Sequence, residues 1–185
     1  MKIAIVYHSE AGHTRAQAES IADGAKGADV TMLPVEQLQT SRTGPWDKLD
    51  RADAIIFGGP THMGSASAAF EGFAVASSWR WDNQVWKDKL AAGFTNGGNL
   101  SGDQMGALQR MAILAAQHGM LWVSLGLAPG VPNSPCNDPE NLNRLGFYLG
   151  AGGQAGPGED MPASDLATAR ALGARVAGLV AGRHG

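Results

Sequence analysis

Short apolar runs alternate along the chain with segments whose apolar residues recur every three or four positions. Residues 3–7, 30–33, 53–60, 89–95 and 120–125 are near-continuous apolar runs, the pattern of strands buried on both faces. Between them, Ala18, Ile21, Ala22 and Ala25 predict a helix over 14–25, and a second is expected over 67–78. Met105, Leu108, Ala112 and Ala115 predict a helix over 103–118, closed by Gly119. Leu166, Ala169, Leu172, Val176 and Val180 share one face of a last helix over 164–181. Strands alternating with helices predict an α/β fold, a five-stranded parallel sheet between two helical layers. Right-handed crossovers leave few topologies, and the strand order 2-1-3-4-5 fits. Residues 34–50 are mixed around a Gly44-Pro45 turn. Residues 127–161 have no periodicity and are rich in Gly, Pro and Asn, which suits a functional arm, an interface or a surface loop.

The length, 185 residues, sets the expectation of a single domain over 1–185. A hydrophobic share of 44% with 17% charged residues is a globular composition. The formal net charge of -3 gives no electrostatic footprint for nucleic acid and no strong negative docking field. One cysteine, Cys136, excludes an internal disulfide and a four-cysteine zinc site, and it reads as an incidental loop thiol. No apolar run approaches the roughly 18 residues of a membrane span, and the N-terminal run is too short for a signal peptide. A cytoplasmic enzyme is expected, with no metal.

In open α/β sheets, ligands bind beyond the carboxyl ends of the strands. That rule selects three small, polar, glycine-containing loops. The first is Ser9, Glu10, Ala11, Gly12, His13 and Thr14, between a strand and a helix N-terminus. Backbone amides and the helix dipole favour an anion there. The hydroxyls of Ser9 and Thr14 suit either phosphate or helix capping. There is no P-loop lysine and no G-x-G-x-x-G string, so a nucleoside triphosphate or a Rossmann dinucleotide is a poor match. The second loop, Pro60, Thr61, His62, Met63 and Gly64, could lie along a flat ring. The third, Asn96, Gly97, Gly98, Asn99, Leu100 and Ser101, could close its other edge. Backbone contact on a flat ring together with a phosphate site points to FMN, a cofactor that brings its own redox chemistry.

Several strings carry a family resemblance. The loop S-x-x-G-H-T at 9–14, the run D-A-I-I-F-G-G-P-T-H-M-G at 53–64, Q-H-G-M at 117–120 and A-R-A-L-G-A-R-V-A at 169–177 resemble the WrbA-type flavoproteins. The resemblance spans essentially the whole chain. It implies a flavodoxin-like fold, FMN, and two-electron transfer from NAD(P)H to quinones by a homotetramer. It places the phosphate loop at 9–14, the ring loops at 61–64 and 96–101, and a further cofactor contact at Gln117. It matches Trp81 to a tryptophan that reaches a neighbouring subunit's flavin pocket. His62 stands where the family usually has Arg; it could donate to a substrate oxygen as a catalytic group, steer the cofactor phosphate, or simply face the surface. Gln117 stands for the first of two histidines and Ala11 for an aromatic residue, and no Pro-Tyr-Gly signature is found around 145–150. His118 is expected to act on the helix dipole, and Trp79 and Trp86 to pack. An electron-carrier flavodoxin and an FMN-binding protein without reductase activity are the alternatives.

Overall fold

The computed structural model describes residues 1–100, 102–131, 135 and 137–184. Ser101 and Cys136 lie outside the described residues. Strand β1 (Lys2–Tyr7) is buried from its second residue onward. Its side chains divide between the two faces of the sheet, as the period of a strand requires. Ile3, Ile5 and Tyr7 join one core with Ala18, Ile21, Leu172 and Val176. Ala4 and Val6 join the other with Phe57, Phe70, Phe73 and Trp86. A strand covered on both faces reads as a continuous apolar run, which is why the sequence located it.

Strands β2 (Asp29–Pro34) and β3 (Ala54–His62) flank β1 in parallel. Strand β5 (Leu90–Asn96) pairs with β3, and β6 (Leu121–Trp122) pairs with β5. The sheet order is β2-β1-β3-β5-β6, and the two-residue β4 (Ser65–Ala66) folds back antiparallel on the end of β3. Without that hairpin the order is the expected 2-1-3-4-5. Helices α1 (His13–Gly24) and α6 (Ala163–His184) cover one face. Helices α3 (Ala68–Ala76) and α5 (Gln104–Gln117) cover the other. The helix expected over 67–78 is shorter and is followed by a separate turn, α4 (Ser78–Asp82). Ser67 is the N-cap of α3, its hydroxyl accepting from the Phe70 amide at 3.3 Å. The sequence showed neither α2 (Trp46–Asp50) nor the 3-10 turn Val35–Leu38, which are too short to display a period.

The fifth expected strand, 120–125, is a ladder strand only at Leu121–Trp122. After the Val123 amide donates to the Ala91 carbonyl at 2.7 Å, the chain leaves the sheet edge and returns at Ala151. There Ala151 bridges Phe94 and Gln154 bridges Gly97, both in parallel sense. The last edge of the sheet is therefore built in two pieces, with the aperiodic segment looping out between them. Its return is fixed by a buried ion pair. Arg144 holds Asp165, in the first turn of α6, through two bonds of 2.7 Å, and the Gln154 amide donates to the same carboxylate at 2.9 Å.

Candidate functional site

The parallel strands β1, β3 and β5 bring the three glycine-containing loops to one end of the sheet. A cleft of about 300 Å³ opens there, lined by Glu10, Ala11, His13, Thr14, Pro60, Thr61, His62, Asn96, Gly97 and Gly98. That lies at the lower end of ligand clefts, roughly 300–1,000 Å³. Ala155 and Pro157, from the returning segment, complete the wall.

The first loop has the donors an anion needs. Gly12 sits in the left-handed region at φ 93, where a side chain would be strained, and starts α1 without a side-chain cap. No backbone amide from Glu10 to Thr14 donates to a protein acceptor among the described residues. The Ser9 hydroxyl accepts from the Arg15 amide at 3.2 Å, and the Thr14 hydroxyl accepts from Asn96 Nδ2 at 2.8 Å. Each hydroxyl thus uses a lone pair on the protein, and its own proton has no acceptor among the described residues. Amides at a helix N-terminus plus two such protons suit a phosphate monoester. Capping and phosphate donation, left open by the sequence, are compatible at Ser9.

The acidic residue in this loop is turned aside. Glu10 places one carboxylate oxygen 3.6 Å from His8 Nε2 and the other 3.8 Å from His62 Nε2. Buried His8 also approaches Glu36, at 3.6 Å, and its Nδ1 lies 2.8 Å from the Ser67 hydroxyl. His13 donates from Nε2 to the Glu159 carbonyl at 2.7 Å, tying the first loop to the returning segment. In the second loop, Met63 takes a positive φ of 49 and projects fully into solvent, with left-handed Gly64 beside it. Leu100, in the third loop, is also exposed, and Asn99 holds Gln104 Nε2 through its carbonyl at 3.3 Å.

Sequence reasoning named Asn96 as a ring-loop residue but missed the buried side chains that hold it beneath the cleft. Gln17 and Thr95 are fully buried, and Asn96 nearly so. Asn96 Nδ2 donates to Thr14 and to Gln17 Oε1, at 2.8 and 3.0 Å, so both its protons are occupied inside the protein. Gln17 could have been found: it lies four residues before Ile21, on the buried face of a helix, where a polar side chain needs partners. His8 follows the alternation of β1 inward, but it lies one residue past the apolar run.

Gln117 and Trp81 are not brought to this cleft within one chain. Helices α3 and α5 run back from the cleft to the opposite end of the sheet, where both residues line a recess of about 180 Å³ with Val75, Ser77, Arg110 and Leu114. His118 lies beneath it. Its Nε2 is 2.9 Å from the Ser77 hydroxyl, which already donates to the Ala74 carbonyl at 2.7 Å. The imidazole must therefore donate from Nε2, and Nδ1 is buried without a partner among the described residues. Burial, reinforced by Arg80, pushes the His118 pKa down to about 4. The ring is neutral at pH 7 and packs on Trp86 at 4.4 Å, so it does not act as a cation on the helix dipole. Trp86 is fully buried, whereas Trp79 is about half exposed.

A further recess lies by Lys87, Lys89 and Arg183, but it holds Asp53 and Asp88 as well. Lys89 donates to the carbonyls of Asp50 and Ala52, and Arg183 to that of Asp88. Lys89 and Arg183 are thus committed to the protein, and two carboxylates share the recess, which makes it a poor anion site. Among the described residues no His, Cys, Asp or Glu cluster could hold a metal, and no helix is long and apolar enough to cross a membrane.

Comparison with known proteins agrees with this geometry. A family model described as a flavodoxin domain matches residues 4–95. Flavodoxin FldP of Pseudomonas aeruginosa is 40% identical, with 95% of each chain covered. An NAD(P)H dehydrogenase (quinone) of Archaeoglobus fulgidus is 30% identical, again with 95% of each covered. The crystal structure of a WrbA-like flavodoxin from Agrobacterium tumefaciens superposes with a TM-score of 0.78 at 39% identity, covering 98% of both chains. The chain belongs to the flavodoxin-like family, on its WrbA-type branch.

Proposed function

We propose that this protein is an FMN-dependent oxidoreductase that passes two electrons from NAD(P)H to quinones. The observation that carries the reading is the donor set of the first loop: five unpaired amides and two hydroxyl protons with no lysine or arginine among them. Such a set suits a singly esterified phosphate without magnesium. Ser9 and Thr14 would hold that phosphate, and the loops at 60–64 and 96–101 would orient the ring. FMN bound there supplies the hydride chemistry, and the protein supplies position and exclusion of water. His62, at the mouth of the cleft and half exposed, would hold a proton near a substrate oxygen, with Glu10 3.8 Å away to orient it.

The same reading includes a cytoplasmic homotetramer. Trp81 and Gln117 lie far from their own cleft, and Val75, Trp79, Trp81 and Ile113 leave apolar surface exposed near them. In an assembly, Trp81 would face a neighbouring copy's cleft. A second reading, an electron-carrier flavodoxin, is favoured by the name of the relative at 40% identity. Steady-state oxidation of NADH and NADPH with benzoquinone separates them. Turnover well above a free-FMN control supports the reductase; turnover equal to that control leaves the carrier.

A further inference from the structure

His8 is a buried titratable group to which the reading of the cleft gives no part. It follows Ala4 and Val6 on the inward face of β1 and is 7% exposed, directly before the first loop. Its Nδ1 lies 2.8 Å from the Ser67 hydroxyl at the start of α3. That hydroxyl accepts from the Phe70 amide, so its own proton is available to Nδ1. The neutral ring then carries its proton on Nε2, as the charged ring also does. Nε2 faces carboxylates from two other elements, Glu10 of the first loop and Glu36 of the 3-10 turn, each 3.6 Å away. His62, at the end of β3, lies 3.8 Å from the second oxygen of Glu10.

Glu10 is the chain's own competitor for the anion site. It stands two residues before Gly12, where α1 starts, and its side chain is well exposed. Open amides and the dipole of a helix N-terminus attract any carboxylate within reach, and a tethered one is always at high local concentration. Yet none of the amides of residues 10–14 donates to this carboxylate, which lies against the two imidazoles instead. Glu10 and Glu36 share one ring and repel each other, so the charge on that ring decides how firmly both are held.

We infer that His8 is a positioning residue that holds the Glu10 carboxylate out of the anion site and so decides how freely a phosphate enters the first loop. The inference rests on the reading of the cleft as an FMN site. With the ring charged, Glu10 stays against the end of β1 and the loop amides are open. With the ring neutral, Glu36 repels Glu10 and the helix N-terminus draws it in, where it competes with the phosphate. Imidazoles change charge between about pH 5 and 8, so Glu10 obstructs the phosphate more as pH rises. His62 acts in the same sense on the other oxygen.

The test uses the apoprotein with FMN and riboflavin, read by flavin fluorescence. The ratio of the two affinities reports what the phosphate adds. At about pH 6, His8→Asn, which keeps a polar atom for Ser67 but removes Nε2, should lower that ratio roughly fivefold. In a Glu10→Gln background the same substitution should leave the ratio unchanged, because the competing charge is gone. The ratio of Glu10→Gln should also exceed that of the wild type by a margin that widens from about pH 6 to about pH 8.5. The phosphate's own titration affects every variant alike and cancels in that comparison. A His8→Asn that lowers the ratio equally in both backgrounds, or in neither, overturns the inference. Circular dichroism reports whether His8→Asn folds. If it does not, the margin between Glu10→Gln and the wild type decides, and a margin independent of pH overturns the inference. A wild type that binds neither flavin instead removes the cofactor reading itself.

Discussion

His118 donates from Nε2 to the Ser77 hydroxyl at 2.9 Å, because that hydroxyl has already given its proton to the Ala74 carbonyl. The relationship makes stability sensitive to acid. Burial holds the folded-state pKa at about 4, below the 6.5 of an unperturbed histidine. Between those values the unfolded chain takes up a proton that the folded protein refuses, so stability falls as pH drops from 6.5 to 4. The loss is on the order of 3 kcal/mol. Urea unfolding between pH 7.5 and 4.5 should show His118→Gln losing less stability over that window than the wild type. Parallel curves would show that His118 is not the group responsible.

The ion pair of Arg144 and Asp165 holds the returning segment against the cleft. Burial pushes the Asp165 pKa up, outweighing the bonds from Arg144 and the Gln154 amide. Removing Arg144 alone strands that carboxylate, so Arg144→Met should cost about 3–5 kcal/mol. The double variant Arg144→Met with Asp165→Leu should recover a large part. Chemical denaturation of the two singles and the double forms the cycle; additive losses would mean that the two side chains do not act together.

In the proposed site, Ser9→Ala and Thr14→Ala would each remove one hydroxyl donor to the phosphate. A hydrogen bond to a charged group is worth about 1.5–3 kcal/mol, so FMN affinity should fall by roughly 10- to 150-fold for each. Riboflavin, which has no phosphate, should bind both variants about as well as the wild type. Equal losses for the two flavins would place the hydroxyls in folding of the loop rather than in phosphate recognition.

Trp81→Ala removes an exposed ring far from the cleft of its own chain. We expect FMN to stay bound while turnover or the elution volume on gel filtration changes. A variant with wild-type turnover and elution would return Trp81 to ordinary surface.

The strands and their order were legible because burial on both faces turns β1, β3 and β5 into apolar runs. The loops were legible because strand ends in such a sheet carry the glycines and hydroxyls. What was hidden depends on tertiary contact. The split last strand could not be seen, since residues 151–155 join the sheet through amides, whose pairing no side-chain pattern records. The role of Asn96 was hidden too. A polar residue in a glycine loop reads as a ligand, and only the buried position of Gln17 shows where its protons go. Gln117 and Trp81 carry no sequence signal of which end of the sheet they occupy.

In the proposed function, FMN binds with its phosphate in the loop from Ser9 to Thr14. A crystal structure of the protein grown with FMN tests it most directly. We expect the phosphate among the amides of residues 10–14 with oxygens on the Ser9 and Thr14 hydroxyls, and the ring between the loops at 60–64 and 96–101. A phosphate bound elsewhere, or a cleft empty at saturating FMN, would contradict it.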